Sequence, residues 1–397
     1  MKVFFMEWNS FCNEDILDAF EKLSESDRPI EVFRYKFEPR ESADNPEFEE
    51  NLEKAIVNEQ PSFVFSMNYY PEVSKVCQKT GIKYASWLYD NPQVKLYSYT
   101  LINSCNYVFV FDSQMYREFS GQGIKTVYYL PLAASSRRLD SIVIPDKERK
   151  KWESDVSFCG SMYNEGHNFW DRISDKVSSY TKGYIEGLMK AQMQVEGANF
   201  VQESLNKYVI DDMVNALSLT PNFDGVETYE YLYGQYVVNR KITAIERYEI
   251  LEMLGRKYNV TLYTKDKKFK IPKVDNRGEV DYYLEMPKAF KCSKINLNIS
   301  LRSIKSGIPL RAFDIMACNG FLISNYQADF FDFFEAGEDF VYYESREDLD
   351  EKIGYYLSNP EERIRIAQNA HDKVAKYHTF ENRLEQIFNS VGEIPHL

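Results

Sequence analysis

Short apolar runs alternate with amphipathic stretches over the first 132 residues of the chain. Six runs have the length and the content of β-branched and aromatic residues that are typical of buried strands: residues 3–6, 31–37, 63–67, 84–88, 107–111 and 126–130. Apolar residues recur with helical spacing between these runs, at residues 13–23, 47–58, 71–80 and 114–122. Strands that alternate with helices predict βαβ units and a parallel sheet, as in a Rossmann-like domain.

The pattern changes after Pro131, where residues 133–155 are polar and strongly charged, as in segments that join domains. A second alternation follows, with strands predicted at residues 155–159, 260–263, 295–299 and 321–324, a helical block at residues 168–253, and closing helices at residues 349–357, 361–377 and 380–390. We therefore predict an α/β protein with two Rossmann-like domains that face each other across a cleft. The predicted bounds are residues 1–150 for the first domain and 151–380 for the second, with a C-terminal helix at residues 381–397 that packs back on the first domain.

Length and charge narrow the class of protein. A chain of 397 residues exceeds the size of a single hydrophobic core, about 250 to 300 residues, and suits two domains. Its 48 Lys and Arg against 61 Asp and Glu give a net charge of −13, which opposes broad contact with nucleic acid or an anionic membrane but permits a local site for a small anion. Because the sequence has neither a signal-peptide pattern nor an apolar stretch of about 18 residues, we expect a cytoplasmic protein without a transmembrane segment.

Residues 304–324 carry the strongest local pattern for binding chemistry. Gly307 and Pro309 open a predicted helix whose first turn holds Arg311. A helix start offers backbone N–H groups and a positive dipole end to a phosphate, and Lys305 and Arg311 can add charge-assisted hydrogen bonds. Asp314, one turn further, can accept from ribose hydroxyls. The alternative is that Arg311 and Asp314 form only a surface ion pair.

A second pattern lies at residues 158–172, where a strand ends and Gly160 and Ser161 precede a polar turn. Ligands of α/β folds bind outside the carboxyl ends of the strands, so these two residues are candidates to contact a pyrophosphate, and Tyr263, at the end of another predicted strand, is a candidate to line the same pocket. The segment matches neither the GxGxxG fingerprint nor the GxxxxGK[ST] phosphate loop. An ordinary strand-to-helix turn is the alternative.

Acidic residues near predicted strand ends of the first domain are the candidate bases. Asp90 is the first choice, with Glu7 and Asp112 behind it. The alternative role for Asp90 is to cap its own turn. We expect no metal site, because the sequence has no HExxH motif and because Asp348 and Asp350, at DxD spacing, lie at a predicted helix start.

These same segments resemble the CgeB-like (spore maturation protein) group of GT-B glycosyltransferases. The resemblance covers residues 66–92, 107–112 and 127–133 in the first domain and residues 155–173, 295–300, 306–325 and 355–374 in the second. It implies the GT-B architecture, with a nucleotide-sugar donor, a UDP-sugar by preference, on the second domain and the acceptor on the first. It also implies that neither a cofactor nor a metal is required.

The resemblance extends to single residues. The segment RAFD places Arg311 and Asp314 where the group has an arginine and an acid, and Asp314 matches the carboxylate that holds the donor ribose. The widespread motif has a first acid eight positions earlier, where this chain has Ser306. That departure leaves the transferred sugar and the stereochemistry open.

The residues and the resemblance together predict a glycosyltransferase that moves a sugar from a nucleotide-diphosphate sugar to a glycan, protein or small-molecule acceptor. Backbone N–H groups, Arg311, Lys305 and Arg302 are expected to stabilise the charge on the departing diphosphate without a metal. Two alternatives stay open: a non-catalytic glycan- or partner-binding protein of the same fold, and a sugar-nucleotide epimerase.

Overall fold

The computed structural model describes residues 1–25, 29–39, 44–164, 168–219, 222 and 224–392. These residues form two compact α/β units, each built on a six-stranded parallel sheet. The first unit comprises Met1–Ala134, Pro221–Glu227 and Tyr377–Leu397, and the second comprises Ser135–Thr220 and Thr228–Lys376. Two Rossmann-like α/β units were predicted from the sequence, and this fold class is confirmed.

The first sheet has the strand order β2-β1-β3-β4-β5-β6. Its strands are β1 (Lys2–Glu7), β2 (Glu31–Lys36), β3 (Phe63–Met67), β4 (Lys83–Trp87), β5 (Asn106–Val110) and β6 (Val127–Tyr129). The helices between them are α1 (Asn13–Ser24), α2 (Pro46–Glu59), α3 (Pro71–Thr80) and α4 (Ser113–Gly121). All ten elements begin and end within two residues of their predicted bounds, because buried parallel strands appear in the sequence as continuous apolar runs.

The second sheet has the strand order β12-β11-β10-β7-β8-β9. Its strands are β7 (Ser154–Cys159), β8 (Val260–Tyr263), β9 (Val274–Asn276), β10 (Ser293–Asn298), β11 (Leu322–Asn325) and β12 (Val341–Tyr343). Neither β9 nor β12 was predicted from the sequence. Counted from β7, the order is 3-2-1-4-5-6, so the topological switch point lies between β7 and β10.

The helices of the second unit differ from the prediction in two places. They are α5 (Ser136–Ser141), α6 (Asp146–Trp152), α7 (Phe169–Ile173), α8 (Ser179–Gln192), α9 (Val201–Ser204), α10 (Lys207–Ala216), α11 (Tyr229–Leu232), α12 (Asn239–Gly255), α13 (Met286–Cys292), α14 (Leu310–Ala317), α15 (Arg346–Ser358) and α16 (Pro360–Tyr377). The predicted helical block at residues 168–253 is broken into separate helices. The charged segment predicted to join the domains forms α5 and α6, because Ile144 and Trp152 pack into a small core with Tyr263 and Ala289.

The predicted domain boundaries are residues 150 and 380, whereas the chain passes between the two units near residues 135 and 377. The chain enters the second unit at Ser135, ahead of α5, and returns to the first unit at Tyr377. The last helix, α17 (Phe380–Val391), packs on α1 of the first unit, where the rings of Phe20 and Phe388 stack with centroids 6.1 Å apart. Within the described part of the chain, no helix has the length and apolarity needed to cross a bilayer.

Candidate functional site

The switch point of the second sheet brings Gly160 and Arg311 into contact. Gly160 follows β7, and its N–H donates to the Tyr263 carbonyl at 2.9 Å. A Cβ atom at Gly160 would lie 3.1 Å from Nη2 of Arg311 and 3.2 Å from Cζ of Phe158. A side chain at this position would therefore force the guanidinium group or the Phe158 ring to shift by a few tenths of an ångström, because both lie against the backbone of the loop after β7.

Arg311 is held in place by neutral groups. It lies in the first turn of α14, and its Nη1 donates to Oδ1 of Asn298, the last residue of β10, at 3.1 Å. The guanidinium carbon is 4.9 Å from the centroid of the Phe158 ring, a cation–π contact. Burial and the nearby charge of Arg247 lower the pKa of Arg311 to about 10. The group is still protonated at neutral pH, and its positive charge faces the position where ligands of this sheet topology bind.

Arg247, on α12, is a second cation at this position, and the sequence analysis missed it. It is 2% exposed and contacts the same Phe158 ring, with its guanidinium carbon 5.0 Å from the centroid. Its Nη1 donates to the Ser161 carbonyl at 2.5 Å, and its Nε and Nη2 donate to the Ile299 carbonyl. Burial lowers the pKa of Arg247. Two arginines bonded to neutral oxygens thus make the switch point electropositive, which favours an anionic ligand.

Asp314 lies one turn beyond Arg311 and is 2% exposed. The hydroxyl of Tyr282 donates to Oδ1 of Asp314 at 3.3 Å. Arg138, on α5, lies over the Tyr283 ring at 5.1 Å and donates to the Tyr283 carbonyl. The alternative that Arg311 and Asp314 form only a surface ion pair is wrong, because Asp314 is buried and Arg311 donates to Asn298. No pattern in the sequence indicated that Tyr282 and Arg138 would lie here.

The other predicted donor-binding residues are Ser161, Gly307, Tyr263, Arg302 and Lys305. Ser161 stays at the switch point, where its hydroxyl accepts from the Tyr163 N–H at 3.0 Å, and Gly307 is buried just ahead of α14. Tyr263 does not line a pocket. Its side chain is 1% exposed, its ring lies 6.1 Å from that of Trp152, and its hydroxyl accepts from Arg277 at 3.2 Å, so this prediction is corrected: Tyr263 is a core residue.

Arg302 and Lys305 lie further along the carboxyl edge of the second sheet. Arg302 donates to Glu246 through Nε at 2.8 Å and to Glu196 through Nη2 at 2.8 Å, and it forms a further short bond between Nη2 and Glu246. These residues line a cavity of about 230 Å³ that also reaches Tyr343 and Arg346. Two carboxylates already neutralise Arg302, so its expected role in holding a diphosphate finds no support in its contacts.

Lys305 lines an adjoining cavity of about 20 Å³, together with Glu196, Arg302 and Gln327. It therefore lies on the Arg302 side of the loop between β10 and α14, and Gly307 separates it in sequence from the Arg311 side. The structure thus brings together Gly160, Ser161 and Arg311 around Phe158 and Arg247, with Asp314 one turn beyond Arg311, and it places Arg302 and Lys305 at a second group of residues.

The charge of Glu196 leads to a prediction on pH. Burial raises the pKa of Glu196 from 4.5 to about 7; Arg302 opposes this rise and Glu246 adds to it. A carboxyl whose pKa is higher in the folded chain than in the unfolded chain destabilises the fold as the pH rises from the unfolded-state pKa to the folded-state pKa. We expect Glu196→Gln to be about 1 to 3 kcal/mol more stable than the wild type at pH 8 and to lose this advantage at pH 5. Denaturant unfolding of both proteins at pH 5, 6.5 and 8 measures it, and a pH-independent difference would contradict it.

The three candidate bases of the first unit have different surroundings. Glu7, at the end of β1, forms a two-bond ion pair with Arg34, at 2.7 and 2.8 Å. The hydrogen bonds from Arg34 lower the pKa of Glu7, which makes it a weaker base. Asp90 is exposed beyond the carboxyl end of β4, and its Oδ2 accepts from Nδ2 of Asn68 at 2.8 Å. Of the three, Asp90 has the placement that suits a base.

Asp112 is the N-cap of α4. It is fully buried, and its Oδ1 accepts from the N–H groups of Gln114 and Met115 at 3.0 and 3.1 Å. We expect Asp112→Ala to cost about 1 to 2 kcal/mol, because two N–H groups lose their acceptor. We expect Asp112→Asn, which keeps an oxygen at the cap, to retain most of the stability and the full activity, as measured by denaturant unfolding and by turnover. An inactive but stable Asp112→Asn would instead identify Asp112 as the base.

Among the side chains of the described ranges, no group of three or more His, Cys, Asp or Glu is placed to hold a metal ion. Asp348 and Asp350 make structural contacts at helix α15: Asp348 accepts from the Glu344 N–H at 3.0 Å, and Asp350 pairs with Lys257. That the chain needs no metal stays a prediction.

Residues 244–389 match the family model described as glycosyl transferase-like. This segment contains Arg247, Asn298, Arg311 and Asp314, four of the residues that meet at the switch point of the second sheet. No curated protein shows significant sequence similarity to the chain.

Several solved structures share the fold. A glycosyltransferase from Rickettsia africae ESF-5 has a TM-score of 0.55 at 10% identity, with 99% of this chain and 98% of that chain covered. Anabaena Alr3699/HepE in complex with UDP-glucose has a TM-score of 0.55 at 10% identity, with 99% and 100% covered. T4 phage BGT in complex with UDP-glucose has a TM-score of 0.51 at 9% identity, with 99% and 100% covered. The two-sheet architecture is thus that of GT-B glycosyltransferases.

Proposed function

We propose that this protein is a glycosyltransferase that moves a sugar from a nucleotide-diphosphate sugar, a UDP-sugar by preference, to an acceptor without a metal ion. The observation that carries the proposal is the pair of guanidinium groups, Arg247 and Arg311, over one aromatic ring at the switch point of the second sheet. The match of residues 244–389 to a glycosyl transferase-like family supports it. The UDP-glucose complexes of two proteins with the same fold are consistent with the donor class.

The chemistry follows from the charge that develops when the sugar leaves. As the bond between the anomeric carbon and the diphosphate breaks, negative charge grows on the diphosphate oxygens, and fixed positive groups lower the barrier. Arg311 and the first N–H groups of α14 supply such groups. Asp314, with the Tyr282 hydroxyl beside it, is the proposed acceptor for the ribose hydroxyls.

For the acceptor, we assign the role of general base to Asp90. Its side chain is exposed, and the Asn68 amide fixes its orientation. In an inverting transfer, Asp90 would take the proton from the acceptor hydroxyl as the oxygen attacks the anomeric carbon. Because Ser306 stands where relatives with two acids have the first of them, the identity of the sugar is not part of the proposal.

A turnover assay tests the proposal. The purified protein is incubated with UDP-glucose, UDP-galactose or UDP-N-acetylglucosamine in the presence of EDTA, and release of UDP and isomerisation of the sugar are both followed. Release of UDP with at least one donor is the expected result. Interconversion of the donor sugars without UDP release would identify an epimerase, and no turnover of donors that bind would identify a non-catalytic binding protein.

A further inference from the structure

Three aromatic side chains lie together at the carboxyl edge of the first sheet, and we call them the aromatic platform: Trp8, Phe11 and Tyr89. Trp8 follows β1 and Tyr89 follows β4; their ring planes are 11° apart, with centroids at 6.3 Å. The Phe11 ring lies 6.4 Å from that of Tyr89 and is 55% exposed. The switch point of this sheet lies between β1 and β3, so the platform occupies the edge where ligands of such sheets bind.

The loop that carries Trp8 and Phe11 is fixed by hydrogen bonds. The indole N–H of Trp8 donates to the Met67 carbonyl at 3.0 Å, and Nδ2 of Asn13 donates to the Trp8 carbonyl at 2.6 Å. Cys12 has a φ of 72° and a fully buried side chain, and this left-handed residue turns the chain just after Phe11. Phe11 therefore projects from a fixed backbone, which lowers the entropy cost of binding a ligand against it.

Polar groups border the platform. Asn68 follows β3 with a φ of 62° and holds Asp90 from two sides. Its Nδ2 donates to Oδ2 of Asp90 at 2.8 Å, while its Oδ1 accepts from the Asp90 N–H at 3.3 Å and from the Tyr89 N–H at 3.2 Å. A carboxylate of fixed orientation thus follows Tyr89 directly in the chain, at the border of the platform, whose Phe11 ring is exposed while Trp8 and Tyr89 are half-buried.

This combination matches one chemical class of ligand. A sugar ring has an apolar face of C–H groups, which packs on an aromatic ring, and a rim of hydroxyls, which donate to a carboxylate. We propose that the acceptor is a carbohydrate whose ring packs on the aromatic platform and whose hydroxyl donates to Asp90. The inference rests on the proposed function, and it names the acceptor class that this function left open.

The bonds, the proton and the electron pair of the transfer step can all be accounted for with these groups. The acceptor oxygen forms a bond to the anomeric carbon of the donor sugar, and the bond from that carbon to the diphosphate breaks. The acceptor proton passes to Asp90, and the electron pair of the broken bond leaves with the nucleoside diphosphate. No oxidant or reductant is needed.

Saturation-transfer NMR tests the inference without any donor. The probes are methyl glucopyranosides, cellohexaose, chitohexaose and maltohexaose, and the proteins are the wild type, Phe11→Ala, and Tyr99→Ala as the matched control. Tyr99 is 68% exposed on the same unit, outside the platform. We expect saturation to reach the C–H protons of at least one probe, with binding roughly three- to tenfold weaker in Phe11→Ala and unchanged in Tyr99→Ala.

Two results would overturn the inference: no saccharide of the panel binds, or binding is equally strong in Phe11→Ala. Because Phe11 is exposed, its replacement is expected to leave the melting temperature unchanged, so loss of folding does not imitate the expected result. The outcome is also separate from the donor assay. Failure of UDP binding in the wild type would contradict the proposed function, whereas Phe11→Ala is expected to keep UDP binding and to weaken transfer to the saccharide.

Discussion

Replacing Arg311 by alanine is expected to remove half or more of the stabilisation that UDP gives to the wild-type protein. A ligand at 100 times its dissociation constant raises the free energy of unfolding by about 2.7 kcal/mol. Arg311 is expected to form charge-assisted hydrogen bonds with the diphosphate, worth about 1.5 to 3 kcal/mol. Its loss should therefore weaken UDP binding about 10- to 100-fold. The shift of the melting temperature with millimolar UDP measures the effect.

Two further variants sharpen this test. Asp314→Ala should weaken the binding of UDP, whose ribose the carboxylate is proposed to hold, but should leave the binding of inorganic pyrophosphate unchanged. Arg256→Ala is the matched control, because Arg256 lies on the surface of the same unit and pairs with Glu252 at 3.1 Å. If Arg311→Ala retained the full UDP shift, the proposed diphosphate site at the second switch point would be wrong.

Replacing Arg302 by methionine is expected to cost about 3 to 5 kcal/mol of stability. The substitution keeps the length of the side chain but removes the charge that balances Glu196 and Glu246, and two carboxylates of low exposure would then face each other. Denaturant unfolding at pH 8 measures the loss, and lowering the pH to 5 should reduce it, because Glu196 binds a proton at the lower pH.

Arg346→Met is the control for this second prediction. Arg346 lines the same cavity and pairs with Glu249 at 2.5 Å, but both partners are well exposed, so the pair is expected to contribute about 1 kcal/mol or less. Equal losses in the two variants would show that the Arg302 ion pairs are not a structural support. A loss of UDP binding in Arg302→Met without a loss of stability would instead indicate that Arg302 binds the donor.

Much of the fold could be predicted because most of its strands are buried on both faces and so appear as apolar runs. The β3 strand, Phe63–Met67, was predicted at its observed bounds for this reason. Arg311 and Asp314 could be predicted as neighbours because glycine, proline and helical spacing together fix where α14 begins. Such signals are local, so they do not show which side chains distant in sequence come into contact.

The missed features depend on tertiary contacts. Arg247 lies within a long helix, and only the fold shows that its guanidinium group reaches the loop after β7. Arg302 has the same charge and a similar position in the sequence as Lys305 and Arg311, but it is neutralised by Glu196, from the loop after α8, and by Glu246, from α12. The sequence therefore identified the cations near the site without showing which of them are already paired.

A crystal structure of the protein soaked with UDP in the presence of EDTA would show whether Arg311 and Asp314 hold the donor. We expect a diphosphate within hydrogen-bond distance of the Arg311 guanidinium group and of main-chain N–H groups at the start of α14, with a ribose hydroxyl on Asp314. A diphosphate bound elsewhere, or one that leaves Arg311 on Asn298 and out of reach, would contradict this expectation.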